Sequence, residues 1–492
     1  MAAVTCGVGL LAAGAAVCQT ADPPAPTETL ADAITLAYQT NPSLQAARAS
    51  QRANDEDYVQ ARVGFRPTIG GSAEITHDYN QEALNLFGPS KTITNSTNGA
   101  LVLTQPIYSG GKAASAVDAA KASVLAGRES LKQTEIQVLF AVVQAYVDVR
   151  RDQAELAISK DNVSVLQRQL DETNARFDVG EVTRTDVAQA QARLAGSQAQ
   201  LSSVQASLAI AQASYAAVVG QNPGTLAPEP PISHLLPGTV DAAFDAAEHE
   251  NPQILQADFT ERASAARVAE AKAEFRPTLG VRGSVGYTSG GQAGAPFETN
   301  PFITPKPDVT VSAIVSVPLF NGGLLASQVR QEAERNNVDR INVETVRRQV
   351  LQAVSQAWNQ LLGARASLVA NEAQVKADTV AYEGTREEEQ VGLRTTLDVL
   401  NAQQELENAE LSLVAARHDE YVAAASVLAG VGALDAQNLV PAVPTYDPAK
   451  NFNRVNHSIG WMPWEPAIEA LDRVGQPIAP ARPPGEPRKP GS

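Results

Sequence analysis

The side chains that could do chemistry are thinly spread in this chain. Its five histidines, His77, His234, His249, His418 and His457, are scattered and form no ligand pair. There is no P-loop, no zinc-binding helix motif, no nucleophile elbow and no dinucleotide fingerprint. The sequence therefore points to no catalytic residue, no cofactor and no metal. What does recur is a carboxylate behind a glycine turn. Asp186 follows Val179-Gly180, and Asp398 follows Val391-Gly392, with Arg394 and the acidic run Glu387–Glu389 beside it. A carboxylate just after a hairpin turn favours the start of the returning helix through the helix dipole. An acidic run is ordinarily a solvated face.

Both turns belong to a unit that occurs twice. Asn41-Pro42 is followed by Phe65-Arg66-Pro67-Thr68, and Asn251-Pro252 by Phe275-Arg276-Pro277-Thr278 at the same spacing. Pro106-Ile107-Tyr108-Ser109-Gly110-Gly111 answers Pro318-Leu319-Phe320-Asn321-Gly322-Gly323. Gly111 stands 69 residues before Gly180, as Gly323 stands before Gly392, and Asp186 and Asp398 are 212 apart. A unit of this length is too long for a solenoid repeat. It reads as one tandem-duplicated structural unit, with a first copy over 22–220, a proline-rich linker over 221–238 and a second copy over 239–440.

Length alone would suggest several domains, but the duplication argues for two intertwined halves of one body. The formal net charge of −16 excludes a nucleic-acid partner of the usual basic kind. Both cysteines, Cys6 and Cys18, lie in an apolar N-terminal run that resembles an export leader over residues 1–21. A lipid anchor on Cys18 is the competing reading, and Val17 before it fits a lipoprotein signal poorly. Beyond the leader, no apolar stretch approaches the length of a membrane-spanning helix. An exported chain of this kind can still cross a membrane as a β-barrel.

From Gly111 to Asp178 the chain has no proline, which permits an unbroken helix over 112–178, about 100 Å long. Val117, Val124, Leu131, Val138 and Ala145 recur every seven residues, as do Val329, Asn336, Val343, Val350 and Ala357 in the second copy. Such heptads call for helix packing along a coiled seam. Return helices carry Leu194, Leu201, Leu208 and Tyr215, then Leu406 and Leu413.

Alternating rows predict strands near 68–80, 97–107, 278–288 and 308–318. Each is about ten residues, long enough to cross a bilayer when tilted. Tyr79, Tyr108, Tyr287 and Phe320 lie near strand ends, where an interfacial aromatic girdle would place them. The links Gln81–Ser96 and Gly290–Pro307 read as exposed polar loops. Four strands cannot close a barrel, so several chains are required. Two copies would give eight strands and three would give twelve.

These motifs, in duplicate and in order, resemble the TolC family of outer-membrane export channels over roughly Leu30 to Val440. Arg176-Phe177-Asp178-Val179-Gly180 with Thr185-Asp186-Val187, and Val391 through Leu400, add to the resemblance. It implies an α+β membrane protein: a homotrimer whose twelve-stranded β-barrel in the outer membrane continues as a helical barrel through the periplasm. It implies docking to an inner-membrane transporter through a periplasmic adaptor, and the secretion reading below makes that transporter one of the ABC type. It also makes the hairpins at Gly180 and Gly392 a periplasmic gate. There Asp186 and Arg394 match positions that link neighbouring helices in the closed state, and Asp398 matches a carboxylate ring at the constriction. Glu389 stands where some members have a gate tyrosine, and Asn401 where some have a second acidic ring. Weaker cation binding and a differently held gate are therefore expected.

Type I protein secretion is the leading functional reading, on the poor fit to a lipid anchor. Multidrug or metal efflux is the alternative, and a structural periplasmic coiled-coil adaptor is a more distant one. The tail over 441–492 is expected to be separate in character. Trp461 and Trp464 would anchor it to the tube, and prolines 477 to 490 would leave its end extended and disordered.

Overall fold

The computed structural model describes residues 27–82, 90–293, 306–441, 443–457, 460 and 462–474. The expected leader, Trp461, the centres of both strand links and the proline-rich end lie outside them.

Each copy follows one plan. Two short helices, α1 (Leu30–Thr40) and α2 (Pro42–Ala61), lead into strands β1 (Thr68–Glu82) and β2 (Ser90–Tyr108). The long helix α3 (Lys112–Asp178) and its return α4 (Arg184–Val219) follow. The second copy repeats this as α5 (Val240–Glu250), α6 (Pro252–Ala273), β3 (Thr278–Ala293), β4 (Lys306–Ser316), α7 (Leu324–Gln390) and α8 (Thr396–Val431). A short α9 (Ala436–Leu439) and two tail helices, α10 (Pro448–Asn456) and α11 (Glu465–Asp472), complete the chain.

The repeated Asn-Pro pairs now have a cause. Asn41 caps α2 by accepting from the backbone N–H of Ser43 and Leu44, while Pro42 occupies a first-turn position that has no N–H to satisfy. Asn251 and Pro252 do the same for α6. At the start of each long helix a Gly-Gly pair carries positive φ: Gly110 at +72°, Gly111 at +91°, Gly322 at +63° and Gly323 at +83°. A side chain is strained there, which is why the turn needs glycine. Both long helices run 67 residues. The heptad positions of α3 from Val117 to Ala145 are all buried, as are Val343, Val350 and Ala357 of α7. Asn336, in the same seam, instead donates to the Glu261 backbone carbonyl and to Ser264 Oγ on α6.

The four strands form one antiparallel sheet in the order β1-β2-β3-β4. Among the described residues, both outer edges are unpaired. Strand pairing extends beyond the expected segments. Gln81 pairs with Lys91 and Thr76 with Ser96, so most of the link expected to be a loop is ladder. On the second link, Tyr287 pairs with Pro307 and Thr288 with Lys306. Thr92, Ile93 and Thr94 are three β-branched residues in a row, which outweighs the polar composition that suggested a loop.

One sheet face is a continuous apolar row. Register places Ile69, Leu103, Gly283 and Val311 side by side, and next to them Gly71, Leu101, Val285 and Val309. These aliphatics are exposed, Ile69 at 75 % and Val311 at 77 %. The opposite face carries Glu74, Arg282, Ser284, Thr310 and Asp308. An exposed aliphatic face backed by a charged one is the pattern of a transmembrane strand with lipid on one side and water on the other. Among the described residues, no helix is long and apolar enough to cross a membrane.

The main core lies around the middle of the long helices. Tyr146 and Tyr215 are fully buried there with Leu139, Leu361 and Leu428. Each such side chain contributes about 2 kcal/mol on removal from water. Tyr146 donates to the Ala227 carbonyl at 2.7 Å, and Tyr215 to Glu28 Oε1 at 2.6 Å. The linker is part of this core, because Leu226 and Ile232 are buried in it.

The tail is likewise fastened, and of its two expected tryptophan anchors Trp461 lies outside the described residues. Trp464 is 47 % exposed. Glu465 and Asp472 hold α11 instead. Glu465 bonds Arg62 Nε at 2.7 Å and Arg66 Nε at 3.2 Å. Asp472 accepts from the backbone N–H of Ser109, Gly111 and Ala114, the entrance of α3. Arg473 forks onto Asp118, with both distances 2.9 Å.

Candidate gate at the hairpin tips

The far ends of the long helices make two matched hairpins. Each long helix stops on a glycine in the left-handed region, Gly180 at φ +80° and Gly392 at +79°. At the first, the Glu181 N–H reaches the Arg176 carbonyl at 2.9 Å; at the second, Leu393 reaches the Glu388 carbonyl at 2.8 Å. Such paired closures satisfy the orphan carbonyls of the last turn. The return helices begin with capping boxes. Asp186 Oδ2 accepts from the N–H and hydroxyl of Thr183, both at 2.8 Å. Asp398 Oδ2 does the same with Thr395, at 3.0 and 2.8 Å. In each box the threonine hydroxyl also accepts from the aspartate N–H.

Both aspartates are thus occupied within their own hairpins. Arg394 also pairs locally, with Glu388 Oε2 at 2.9 Å. Within the chain, none of these three links one hairpin to the other. That role falls to Glu389. It is only 3 % exposed, not part of a solvated acidic face, and it pairs with Arg176 of the first hairpin while accepting from Thr396 Oγ1 at 3.4 Å. Arg176 completes the strut by bonding Glu181 at 3.3 Å.

Above the strut, Asn401 accepts from Arg193 Nη2 at 3.0 Å, which joins α4 to α8. Asn162 donates to Ser197 at 3.1 Å and accepts from Gln403 at 3.1 Å, adding α3 to the network. Leu166, Leu194 and Leu400 fill the space between. Arg176, Arg193 and Gln403 were not recognised as site residues in the sequence. The signal was a mismatch between copies: at the 212-residue offset Arg176 answers Glu388, and Glu389 answers Phe177. Charges that differ between two copies of one unit are free to pair across them.

The arrangement contains no nucleophile or general acid-base pair. It ties one hairpin to the other through a buried ion pair. Hydrogen bonds from Thr183 hold the Asp186 carboxyl below its ordinary range, backbone first and hydroxyl second. Thr395 does the same to Asp398, with a smaller effect of Arg394. A carboxylate whose folded value is depressed stabilises above its unfolded value, near 4, and loses that stability as pH falls through the folded value. Acidification from neutrality to below about pH 4 should therefore fray both turns before the helices melt. Amide hydrogen exchange over 179–186 and 391–398 would show it. Equal protection of those amides across that range would disprove the role of the boxes.

Comparison with known proteins agrees with the repeat and the sheet. The outer membrane efflux protein family model matches residues 33–221 and 243–433, one match per copy. The chain is 34 % identical over 433 residues to the outer membrane efflux protein BepC of Brucella suis, covering 87 % of this chain and 91 % of BepC. It is 27 % identical to the alkaline protease secretion protein AprF of Pseudomonas aeruginosa, covering 83 % and 85 %. The crystal structure of the outer membrane protein VceC from Vibrio cholerae superposes with a TM-score of 0.68 at 23 % identity, covering 82 % of this chain and 96 % of that one. The fold is therefore that of an outer-membrane channel with a helical barrel, built from two tandem copies of one unit. The chain belongs to the family of outer membrane efflux proteins, TolC among them, and its place is the outer membrane of a Gram-negative cell.

Proposed function

We propose that three copies of this chain close into a twelve-stranded barrel continuous with a helical tube. The tube is a passive conduit that meets a periplasmic adaptor and an energised inner-membrane transporter. One observation carries this: the four-stranded sheet has an apolar outer face and, among the described residues, two unpaired edges, a combination that lipid does not tolerate unless neighbouring copies complete the ladder. Exposed Leu319 and Phe320, at the junction of β4 and α7, would be covered by the same neighbour. Native mass spectrometry of the detergent-extracted protein should give a trimer. A monomer or dimer would remove the reading.

Efflux, of drugs or metals, is the first reading of the cargo, because the 34 % identical relative is named for efflux. Type I protein secretion through an ABC-type transporter is the second, supported by the relative named for alkaline protease secretion. Comparing the culture-medium proteome and the sensitivity to a toxic-compound panel, with and without the gene, separates them. Selective loss of one or a few large secreted proteins supports secretion, and drug or metal sensitivity with an unchanged medium supports efflux.

Asp186, Arg394, Asp398, Asn401 and Glu389 are proposed as gate residues of this conduit. Three Asp398 carboxylates around one axis would favour cations where water is scarce. Asp398→Asn keeps an oxygen for the Thr395 cap while removing the charge. It should lower the cation-to-anion permeability ratio in planar bilayers by about threefold. An unchanged ratio would take Asp398 out of the pore.

A further inference from the structure

The tail helix α11 has two faces, and the fold explains only one. Glu465, Ile468 and Asp472 are buried against Arg62, Arg66, Phe65 and the start of α3. Trp464, Ala467, Leu471 and Val474, beside them at helical spacing, are all exposed. Position gives this apolar face a meaning. Trp464 Nε1 donates to Gln105 Oε1 at 3.4 Å. Gln105 follows Leu101 and Leu103 at two-residue spacing, on the same side of β2 as the aliphatic row. So α11 sits outside the sheet at its helical end, where the aliphatic face gives way to the long helices.

We propose that α11 is an interfacial helix that lies in the periplasmic leaflet of the outer membrane, with phospholipid as the occupant of its exposed face. This rests on the membrane placement of the sheet. Continuity with the aliphatic row argues for lipid over a protein partner, because the contact extends a surface already turned to acyl chains. An indole at that depth, with its ring in the apolar zone and its N–H on a polar partner, is the arrangement favoured at a membrane-water boundary. The carboxylates of Glu465 and Asp472 face inward onto arginines and backbone N–H groups, so they do not oppose the contact. The helix would set the depth and tilt of the barrel by an apolar contact of the kind that amphipathic surface helices use.

The test uses the full chain as purified and reconstituted in phosphatidylethanolamine–phosphatidylglycerol vesicles. Trp358→Phe and Trp461→Phe leave Trp464 as the sole indole. Lipids brominated near the top of the acyl chain should quench its emission about twofold, and lipids brominated near the chain end should quench it less. Leu471→Asp with Val474→Asp should abolish that quenching while the oligomer stays intact. A Leu103→Trp reporter in a background lacking Trp464 as well separates the two failures. If that reporter is quenched and Trp464 is not, α11 is not in lipid and the proposal is overturned. If neither is quenched, the membrane placement falls and the proposal with it. Quenching that survives the double aspartate variant, or a Trp464 shielded only when adaptor is added, would overturn the lipid assignment as well.

Discussion

Replacing Glu389 with alanine is expected to open the tip. Within the chain the two hairpins are tied at their ends by one ion pair, Arg176 with Glu389, and above it by the Arg193–Asn401 bond and the Asn162–Gln403 bond. Glu389 is almost fully buried, while about a quarter of the Arg176 side chain is exposed. Breaking a fully buried pair costs roughly 3–5 kcal/mol, and solvent at the arginine lowers this to about 1–2 kcal/mol here. Three protomers opening together would multiply the effect, since each loses its own strut. At about 1.4 kcal/mol per factor of ten, the open population should rise at least tenfold. Single-channel recording in planar bilayers should show long-lived high-conductance states, and cells should become sensitive to large polar compounds. The swap Arg176→Glu with Glu389→Arg restores opposite charges at the same place and should return the low conductance. A Glu389→Ala channel with wild-type conductance would show that the strut does not hold the gate.

The parts of this molecule that were legible in the sequence are those governed by periodicity and by backbone chemistry. The span of α3 was readable because nothing between Gly111 and Asp178 interrupts a helix, and because apolar residues recur at a strict seven-residue interval. Four strands followed from the alternation of apolar and polar residues. The lengths of the strands were not legible. Lys91 to Asn95 are polar apart from Ile93 and resemble a loop in composition, and their partners are distant: His77 to Gln81 on β1 for all five, and Gly291 to Ala293 on β3 for Ile93 to Asn95.

Long-range charge pairing was the other blind spot. Arg176 and Glu389 are 213 residues apart, and nothing local distinguishes Glu389 from its exposed neighbours Glu387 and Glu388. The tail shows the same limit from the other side. Its tryptophans drew attention as anchors because aromatics dominate contact area. Among the described residues the buried anchors are Glu465 and Asp472, acidic residues in a segment whose partners lie more than 350 residues upstream. Burial of a carboxylate is decided by who waits for it, and Arg62, Arg66 and the backbone N–H groups at the entrance of α3 cannot be placed beside it from sequence alone.

The second large effect is expected at that anchor. Glu465 is fully buried and receives two guanidinium groups, while Arg62 and Arg66 are themselves nearly inaccessible, at 9 % and 6 %. Glu465→Ala would leave two cations with no counter-ion in a site that water hardly reaches, at a cost of about 3–5 kcal/mol. Glu465→Gln keeps the shape and one acceptor oxygen and should cost about half as much. The consequence should be local, because the core around Tyr146 and Tyr215 does not involve α11. Release of the tail would also withdraw Asp472 from the N–H groups of Ser109, Gly111 and Ala114, exposing the start of α3 where the sheet hands over to the tube. Limited proteolysis should then cut within 441–474 at a rate at least tenfold above the parent, with amide protection lost at 109–114 and kept at 139–149. In vesicles, the same variant should lose the lipid quenching of Trp464. Tail cleavage at the parent rate in Glu465→Ala would mean that α11 is held by its apolar contacts through Ile468, and that the two arginines find solvent or another acceptor without it.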